Sequence, residues 1–375
     1  MEKEIGMEIV SLVLVIAYAA FLIWCRMGWK KIKYTSSGYS GLTKVSIVIA
    51  LRNEEHFIQK LLSSIVKQEY PARLMELIFV DDHSEDNTKK IVNDFFIQHA
   101  SYNVKVLSAD SSGKKAAIKK GVNSAWHELI LTTDGDCELP QKWVTQLVSI
   151  YEKYHPVFIA GPVKLTHNSS VIGKLQFLEM AGLIGIAGGS LSNGKPMLCN
   201  GANLAFSRSA WLKAMEHIQS TYSSGDDTDL LVRLTEEYPD QMIFLKDEST
   251  VVQTNAAGTV RSFIQQRQRW ASKITGSMSR FTVFIAVLAW LVHFTLFIQL
   301  IFAVIHLHFS GLFLGAVLIK ALSEATVIGP VVKLYKLKRW DQNIILLQPL
   351  YWFYIILVGL SGPLLKYEWK GRKLR

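Results

Sequence analysis

Three short apolar runs in this chain stop abruptly at charged or amide residues. Val45 to Ala50 runs into Arg52-Asn53-Glu54-Glu55, Leu77 to Val80 into Asp81-Asp82-His83-Ser84, and Leu129 to Leu131 into a stretch holding Asp134 and Asp136. Short apolar, β-branched runs bounded by polar residues read as buried strands. Helical spacing lies between them. Phe57, Leu61, Leu62, Ile65 and Val66 form one apolar stripe, closed by Pro71. Ile91, Val92, Phe95 and Phe96 form another, after a Ser84–Thr88 stretch suited to capping. Val104 to Leu107 adds a strand, and Gly113-Lys114-Lys115 opens a helix through Ile118 to Ala125. Strands alternating with helices predict an α/β fold, a mostly parallel sheet covered on both faces. Ligands of such sheets sit beyond the carboxyl ends of the strands. Arg52, Asn53, Asp82, Lys114 and Asp134 all fall at or near such ends, which predicts one nucleotide-binding crevice.

The acids after Leu131 carry a more specific expectation. In an extended segment residues i and i+2 point the same way, so Asp134 and Asp136 can face one point. Gly135 lets the backbone turn between them. Two hard oxygen ligands suit Mg²⁺ or Mn²⁺, with positions left for phosphate oxygens and water. The plainer reading is a polar Asp-Gly turn.

Later segments are less regular. Phe158 to Val163 and Asn200 to Phe206 read as strands. Leu175 to Gly189 is apolar and glycine-rich, a helix near the membrane or near an apolar ligand. Asp226, Asp227 and Asp229 precede Leu230 and Leu231, acids placed at the positive end of a helix. Gln266 to Trp270 lies on an amphipathic helix just before the C-terminal apolar region, where Arg and Trp also suit an interfacial anchor.

Apolar residues concentrate at the two ends of the 375-residue chain. Ile5 to Cys25 is nearly all apolar, close to the ~20 residues a helix needs to cross a bilayer. The run ends in Trp24-Cys25-Arg26 rather than a small-residue cleavage site, so an uncleaved anchor is expected. Phe281 to Val332 has room for two crossings with a break near His306 to Gly311. Ile344 to Leu365 follows as a further segment. A full last span would put the basic Lys366–Arg375 tail outside; Pro349 and Gly362-Pro363 allow a re-entrant or interfacial path instead. The expected organisation is 1–28 anchor, 29–43 linker, 44–270 catalytic domain, 271–280 interfacial segment, and 281–375 membrane region with two to three spans.

The formal charge of +10 comes from Lys and Arg that crowd beside the apolar segments, at 26–33, 333–339 and 366–375. That placement fits a cytoplasmic membrane face and anionic headgroups, not nucleic acid. The three cysteines form no disulfide framework and no metal-ligand spacing.

Taken in order, Val45 to Glu55, Val80 to Ser84, Gly113-Lys114, Asp134-Gly135-Asp136, Gly225-Asp226-Asp227 and Gln266-x-x-Arg269-Trp270 resemble the membrane-associated inverting glycosyltransferases of family 2. Cellulose, chitin and hyaluronan synthases and ceramide glucosyltransferase belong to that family. The resemblance runs from Lys44 to Trp270. It implies a glycosyltransferase A-type, Rossmann-like nucleotide-binding domain flanked by transmembrane helices, with a cytoplasmic catalytic domain on an inner or plasma membrane.

By the same resemblance Ala50, Arg52, Glu54, Asp82, Lys114 and Asp134 would bind the nucleotide-sugar, Asp82 at the uridine. Asp136 would hold the metal on the diphosphate. Asp227 would act as general base on the acceptor hydroxyl, and Gln266, Arg269 and Trp270 would serve the pyrophosphate and acceptor. Two positions depart from the pattern: His83 stands where the family usually has glycine, and Arg52 where it often has an aromatic residue. The implied partners are a nucleotide-sugar donor, a lipid or glycan acceptor and the membrane. Single transfer to a lipid or lipid-linked acceptor is the leading reading. A processive polysaccharide synthase is the alternative, and a non-catalytic nucleotide-sugar-binding membrane protein a distant one.

Overall fold

The computed structural model describes residues 2–32, 42–166, 170–216, 226–271, 278–306, 310–337, 346–362, 367–369 and 372–374. It divides into two compact units. One holds 32–166 and 194–256; the other holds 1–31, 167–193 and 257–375.

The first unit is built on a seven-stranded sheet. Its strands are β1 (Val45–Leu51), β2 (Met75–Asp81), β3 (Asn103–Ser108), β4 (Leu129–Asp134), β5 (Phe158–Ala160), β7 (Leu204–Ser207) and β8 (Met242–Phe244), in the order β3-β2-β1-β4-β7-β5-β8. The pairs β1–β2, β2–β3, β1–β4 and β5–β8 are parallel, while β7 runs antiparallel to β4 and β5. β6 (Val163–Leu165) and β9 (Val252–Thr254) form a separate parallel pair. β1, β2 and β4 are buried along almost their whole length, which is why they read as continuous apolar runs rather than alternating ones. β3 lies at the sheet edge, partly exposed, and carries Asn103, Lys105 and Ser108.

Helices cover the sheet: α2 (Ile58–Val66), α3 (Thr88–Ile97), α4 (Lys114–Ser124) and α5 (Trp143–Tyr154). α2 buries Ile58, Leu61, Leu62 and Ile65, an i, i+3, i+4, i+7 stripe. Phe57, counted with that stripe from the sequence, is instead more than a third exposed and precedes the helix. Just before α3, Asp86 Oδ1 accepts from the Thr88 amide at 3.0 Å and its hydroxyl at 2.6 Å, while Asn87 at the cap position makes no side-chain capping bond. Burial by itself would raise the Asp86 pKa, but these hydrogen bonds hold it below the ordinary value.

A polar cluster sits at the other end of the strands from the acids. Glu76 is fully buried, with Lys105 Nζ 2.6 Å from Oε1, and Ser46 Oγ and the Trp126 amide 2.5 and 2.9 Å from Oε2. Lys105 lies 3.6 Å over the Trp126 ring. Burial pushes the Glu76 carboxyl up, but its hydrogen bonds from Lys105 and Ser46 outweigh that and leave its pKa lowered. The cluster ties β1, β2, β3 and the approach to β4 together.

The second unit is helical. α1 (Glu2–Lys31), α6 (Val171–Ser192), α10 (Arg280–Ile305) and α11 (Gly311–Leu334) include four segments long and apolar enough to cross a membrane. α12 (Gln348–Ser361) has 14 residues. At ~1.5 Å per residue it covers about 21 Å, short of a hydrocarbon core of ~30 Å. Within the last apolar segment this helix has Pro349 in its first turn and Gly362 at its end; 344–345 and 363–365 of that segment lie outside the described residues. In the basic tail, Tyr367–Trp369 (β10) and Arg372–Leu374 (β11) pair antiparallel.

Glycines let the helices of this unit approach closely. A Cβ added to Gly189 would lie 2.2 Å from the Cys25 carbonyl oxygen, and one added to Gly28 2.0 Å from that of Gly189. One turn earlier on α6, Gly185 meets Val327 of α11. Small residues four apart that bring backbones together are a membrane-helix packing device. Sequence reading assigned Leu175–Gly189 to a helix at a membrane or apolar ligand; the structure makes it part of a 22-residue helix packed between α1 and α11.

Candidate active site

The register of the parallel strands brings the expected crevice together. Ala50 pairs with Val80 on one side and Asp134 on the other, and Leu51 pairs with Asp81. β1 is flanked by β2 and β4, so the chain reverses its direction of sheet growth at β1. Ligands of open α/β sheets bind at that switch point.

Asp134 closes β4, and its Oδ1 receives Lys114 Nζ at 2.5 Å. Lys114 is the first residue of α4, and Gly113 before it has φ +118°, a conformation open to glycine. Gly201 lies beside Lys114 and Asp227: a Cβ there would sit 3.5 Å from Lys114 Nζ and 3.6 Å from Asp227 Oδ2. Lys114, Gly201 and Asp227, with Thr132 and Trp211, line one cleft. Asp227 lies in the first turn of α8 (Asp226–Glu237), where its Oδ1 accepts from the Thr228 amide at 2.9 Å. One carboxylate oxygen thus serves the helix start, and the other lies beside Gly201. Gly225, named with this motif, lies outside the described residues.

The expectation for Asp134 and Asp136 needs correction in its geometry. The strand ends at Asp134, and 135–136 form a turn, so the two-residue alternation does not continue through Asp136. Asp136 Oδ2 accepts from Thr254 Oγ1 at 3.1 Å. Gly135 is not in a left-handed conformation. Space is what requires it: an added Cβ would come within 2.8 Å of Glu54 Cγ and Leu51 Cδ2, both of buried residues. Among the described residues no three His, Cys, Asp or Glu side chains are grouped to hold an ion by themselves. Two carboxylates beside an acid-lined strand end are a donor set that fits a hard cation drawing its other ligands from substrate phosphate and water.

The two departures from the family pattern meet each other here. His83 has φ +55°, where glycine is at ease and other residues are not. Arg52, 3% exposed, donates from Nη1 to the carbonyls of Asp82 (2.9 Å) and His83 (2.6 Å) and from Nη2 to Glu85 (3.2 Å). Arg52 thus clamps the turn in which histidine replaces glycine. Asp82 is 1% exposed, and its Oδ2 accepts from the Gly113 amide at 3.0 Å, joining the β2 and α4 loops. The Glu54 amide donates to Thr88 Oγ1 at 2.7 Å, and its side chain packs on Gly135.

Gln266, Arg269 and Trp270 lie on α9 (Val260–Ala271), in the helical unit. Sequence reading passed over Arg267 between them, yet it is the buried centre of that group. It reaches Glu179 Oε2 at 2.5–2.7 Å, bonds Gln266 Oε1, and lies 4.3 Å from the Trp270 ring centroid. Its position between motif residues hid it, since a variable position carries no motif signal. A second residue passed over is Asn203, fully buried. It accepts from Trp143 Nε1 and donates to the carbonyls of Pro162 and Thr250, locking three segments behind the cleft.

Residues 46–212 match the model for glycosyl transferase family 2. A poly-beta-1,6-N-acetyl-D-glucosamine synthase of Staphylococcus epidermidis is 29% identical over 143 residues, 38% of this chain and 34% of the relative. An undecaprenyl-phosphate 4-deoxy-4-formamido-L-arabinose transferase of Proteus mirabilis is 32% identical over 127 residues, 32% of this chain and 37% of the relative. The matches thus span little more than a third of these relatives. The mannosyltransferase PcManGT from Pyrobaculum calidifontis, solved with GDP-Man and Mn²⁺, shares the fold at a TM-score of 0.58 and 17% identity, over 94% of this chain and 99% of its own. Residues 46–212 thus carry a glycosyl transferase family 2 domain, in a chain that also has four helices long and apolar enough to cross a membrane.

Proposed function

We propose that the chain transfers a sugar, with inversion, from a nucleotide-diphosphate sugar to a lipid or lipid-linked acceptor at the cytoplasmic membrane face. The observation that carries this is Lys114, bonded to Asp134 and lining one cleft with Gly201 and Asp227, in a family 2 domain. Asp82, Asp134 and Lys114 bind the donor, with Ala50, Arg52 and Glu54 shaping its edge of the crevice. A UDP-sugar is the proposed donor, as the family resemblance implies at Asp82. Asp136, with Asp134, holds Mg²⁺ or Mn²⁺ against the diphosphate, and that ion would neutralise charge on the departing phosphate. Asp227 takes the proton of the acceptor hydroxyl, a role worth about 10²–10⁴-fold in rate. Gln266, Arg269 and Trp270 are assigned to the pyrophosphate and acceptor.

Asp227→Asn tests the assignment. We expect turnover to fall at least about 100-fold with donor binding retained; near-normal turnover would remove Asp227 from the role of base. The metal assignment predicts that chelation abolishes transfer and that Mn²⁺ or Mg²⁺ restores it; activity unchanged in chelator would refute it.

The name of the staphylococcal relative favours a second reading, processive polymer synthesis. Product length separates the two: one sugar on an extractable lipid supports the first, a polymer the second.

A further inference from the structure

Within the helical unit a partly open pocket lies between α1, α6, α11 and α12. Its walls are mostly apolar, including Leu22, Leu178, Ile186 and Ile328, but five polar side chains also line it: Tyr18, Glu179, Glu324, Gln348 and Tyr351. Ionisable groups within such segments are costly and mark functional sites unless they serve only as paired struts.

The partners of these groups define the ligand. Glu324 is matched by the fully buried Lys320, 2.6 Å from Oε1, and by Gln348 Nε2, 2.7 Å from Oε2; Tyr18 donates to it at 3.4 Å. Glu179 is matched by Arg267 and accepts from Tyr354 at 2.7 Å. Each buried carboxylate is therefore already neutralised by one buried cation. Those cations are not among the lining residues; the lining presents carboxylate, amide and phenol groups. An anionic phosphate would meet carboxylate oxygens with no cation facing it. An ammonium group would meet two ion pairs already closed. A neutral hydroxyl or amide would instead find a partner in the Tyr351 hydroxyl, which makes no hydrogen bond among the described residues and lies on the cavity wall.

We infer that this cavity binds a neutral lipid, its apolar chain along α6 and α11 and an uncharged hydroxyl- or amide-bearing neck at Tyr351, since the Gln348 amide is already held by Lys320, Trp352 and Glu324. This deepens the lipid-acceptor reading above and rests on it in one respect only, that such a lipid is also the acceptor.

Gly182 supplies a clean perturbation. It lines the cavity, and an added Cβ would meet only Ile328 Cγ1, at 3.7 Å, so Gly182→Phe fills the space without displacing backbone. The full chain in nanodiscs is exposed to a photoactivatable diacylglycerol and, separately, to a photoactivatable phosphatidic acid with the same chains. We expect the neutral probe to label peptides of α6 or α11, with labelling reduced at least tenfold in Gly182→Phe. The anionic probe should label these helices no more than other lipid-facing helices. Equal labelling by the two probes, or labelling unchanged in Gly182→Phe, would overturn the inference. If Gly182→Phe does not fold, Gly182→Leu gives the same comparison with a smaller side chain. Labelling needs no sugar transfer. Positive labelling without transfer to any neutral lipid would leave the site standing and end its identification with the acceptor.

Discussion

Replacing Arg52 by alanine tests whether the two departures from the family pattern form one device. The structure gives the side chain two buried charge-assisted bonds, to the carbonyls of Asp82 and His83. Hydrogen bonds to charged groups are worth ~1.5–3 kcal/mol each, but the two share one nitrogen, so about 2–4 kcal/mol is expected for the loss. The contact with Glu85 adds little, because that carboxylate is 79% exposed. His83→Gly acts in the opposite direction: it relieves ~1–2 kcal/mol of left-handed backbone cost. It also adds about 0.5–1 kcal/mol of chain entropy in the unfolded state, leaving a net gain of about 0.5–1 kcal/mol. If the arginine is needed to hold a conformation that histidine resists, Arg52→Ala should cost less in the His83→Gly background, by ~0.5–1 kcal/mol. Urea unfolding of the detergent-solubilised chain, followed by tryptophan fluorescence, reads all four corners of the cycle. Donor KM, measured alongside, should rise in Arg52→Ala and recover in part in the double variant. Strict additivity within about 0.3 kcal/mol, or a loss below about 0.5 kcal/mol for Arg52→Ala alone, would refute the coupling.

Two further outcomes follow from packing and titration. Glu76→Gln removes the partner of Lys105 and should lower stability by roughly 2–3 kcal/mol at neutral pH, discounted from the ~3–5 kcal/mol of a fully buried pair because Lys105 is partly exposed. The folded pKa of Glu76 is depressed, so its contribution is present above the unfolded carboxylate value and lost as pH falls through the folded one. The stability gap between wild type and Glu76→Gln should therefore narrow below about pH 4–5, and a constant gap from pH 7 to pH 4 would contradict it. Gly189→Val should destabilise the helical unit by at least about 1–3 kcal/mol, because the new side chain meets the backbone of Cys25. Gly315→Val, at a glycine with open space around it, is the control, and equal melting temperatures for the two would count against close packing of α1 on α6.

What could be read from the sequence follows from where the burial lies. β1, β2 and β4 are covered on both faces, so their residues are apolar throughout and their ends are marked by the first polar residue. That is why the strand ends near Asp82 and at Asp134, and the switch point between them, are legible in the sequence. Glu76 was not found, because a single acid at the start of an apolar run looks like a solvated strand end. Only the lysine from β3 and the serine from β1, both distant in sequence, make it a buried pair. The same limit applies to Asp136. Its spacing from Asp134 is visible, but the end of the strand between them depends on the space left by Glu54 and Leu51.

The helical unit was legible in composition and not in detail, and lipid is the reason. Between helices in a bilayer there is no gain from moving apolar surface away from water, so an apolar stripe does not mark which face is packed. α6 is apolar all round, and its glycines read as breaks in a pattern. Yet those glycines are what bring its backbone against α1 and α11, and Gly185 and Gly189 mark the packed face that hydropathy leaves undefined. The polar residues obey the same logic. Glu179, Lys320 and Glu324 look misplaced in apolar runs, but in a medium without water each must find its counter-charge inside the bundle. Their partners lie four to nearly ninety residues away, so a lone acid in an apolar run marks a contact whose other half only the fold reveals.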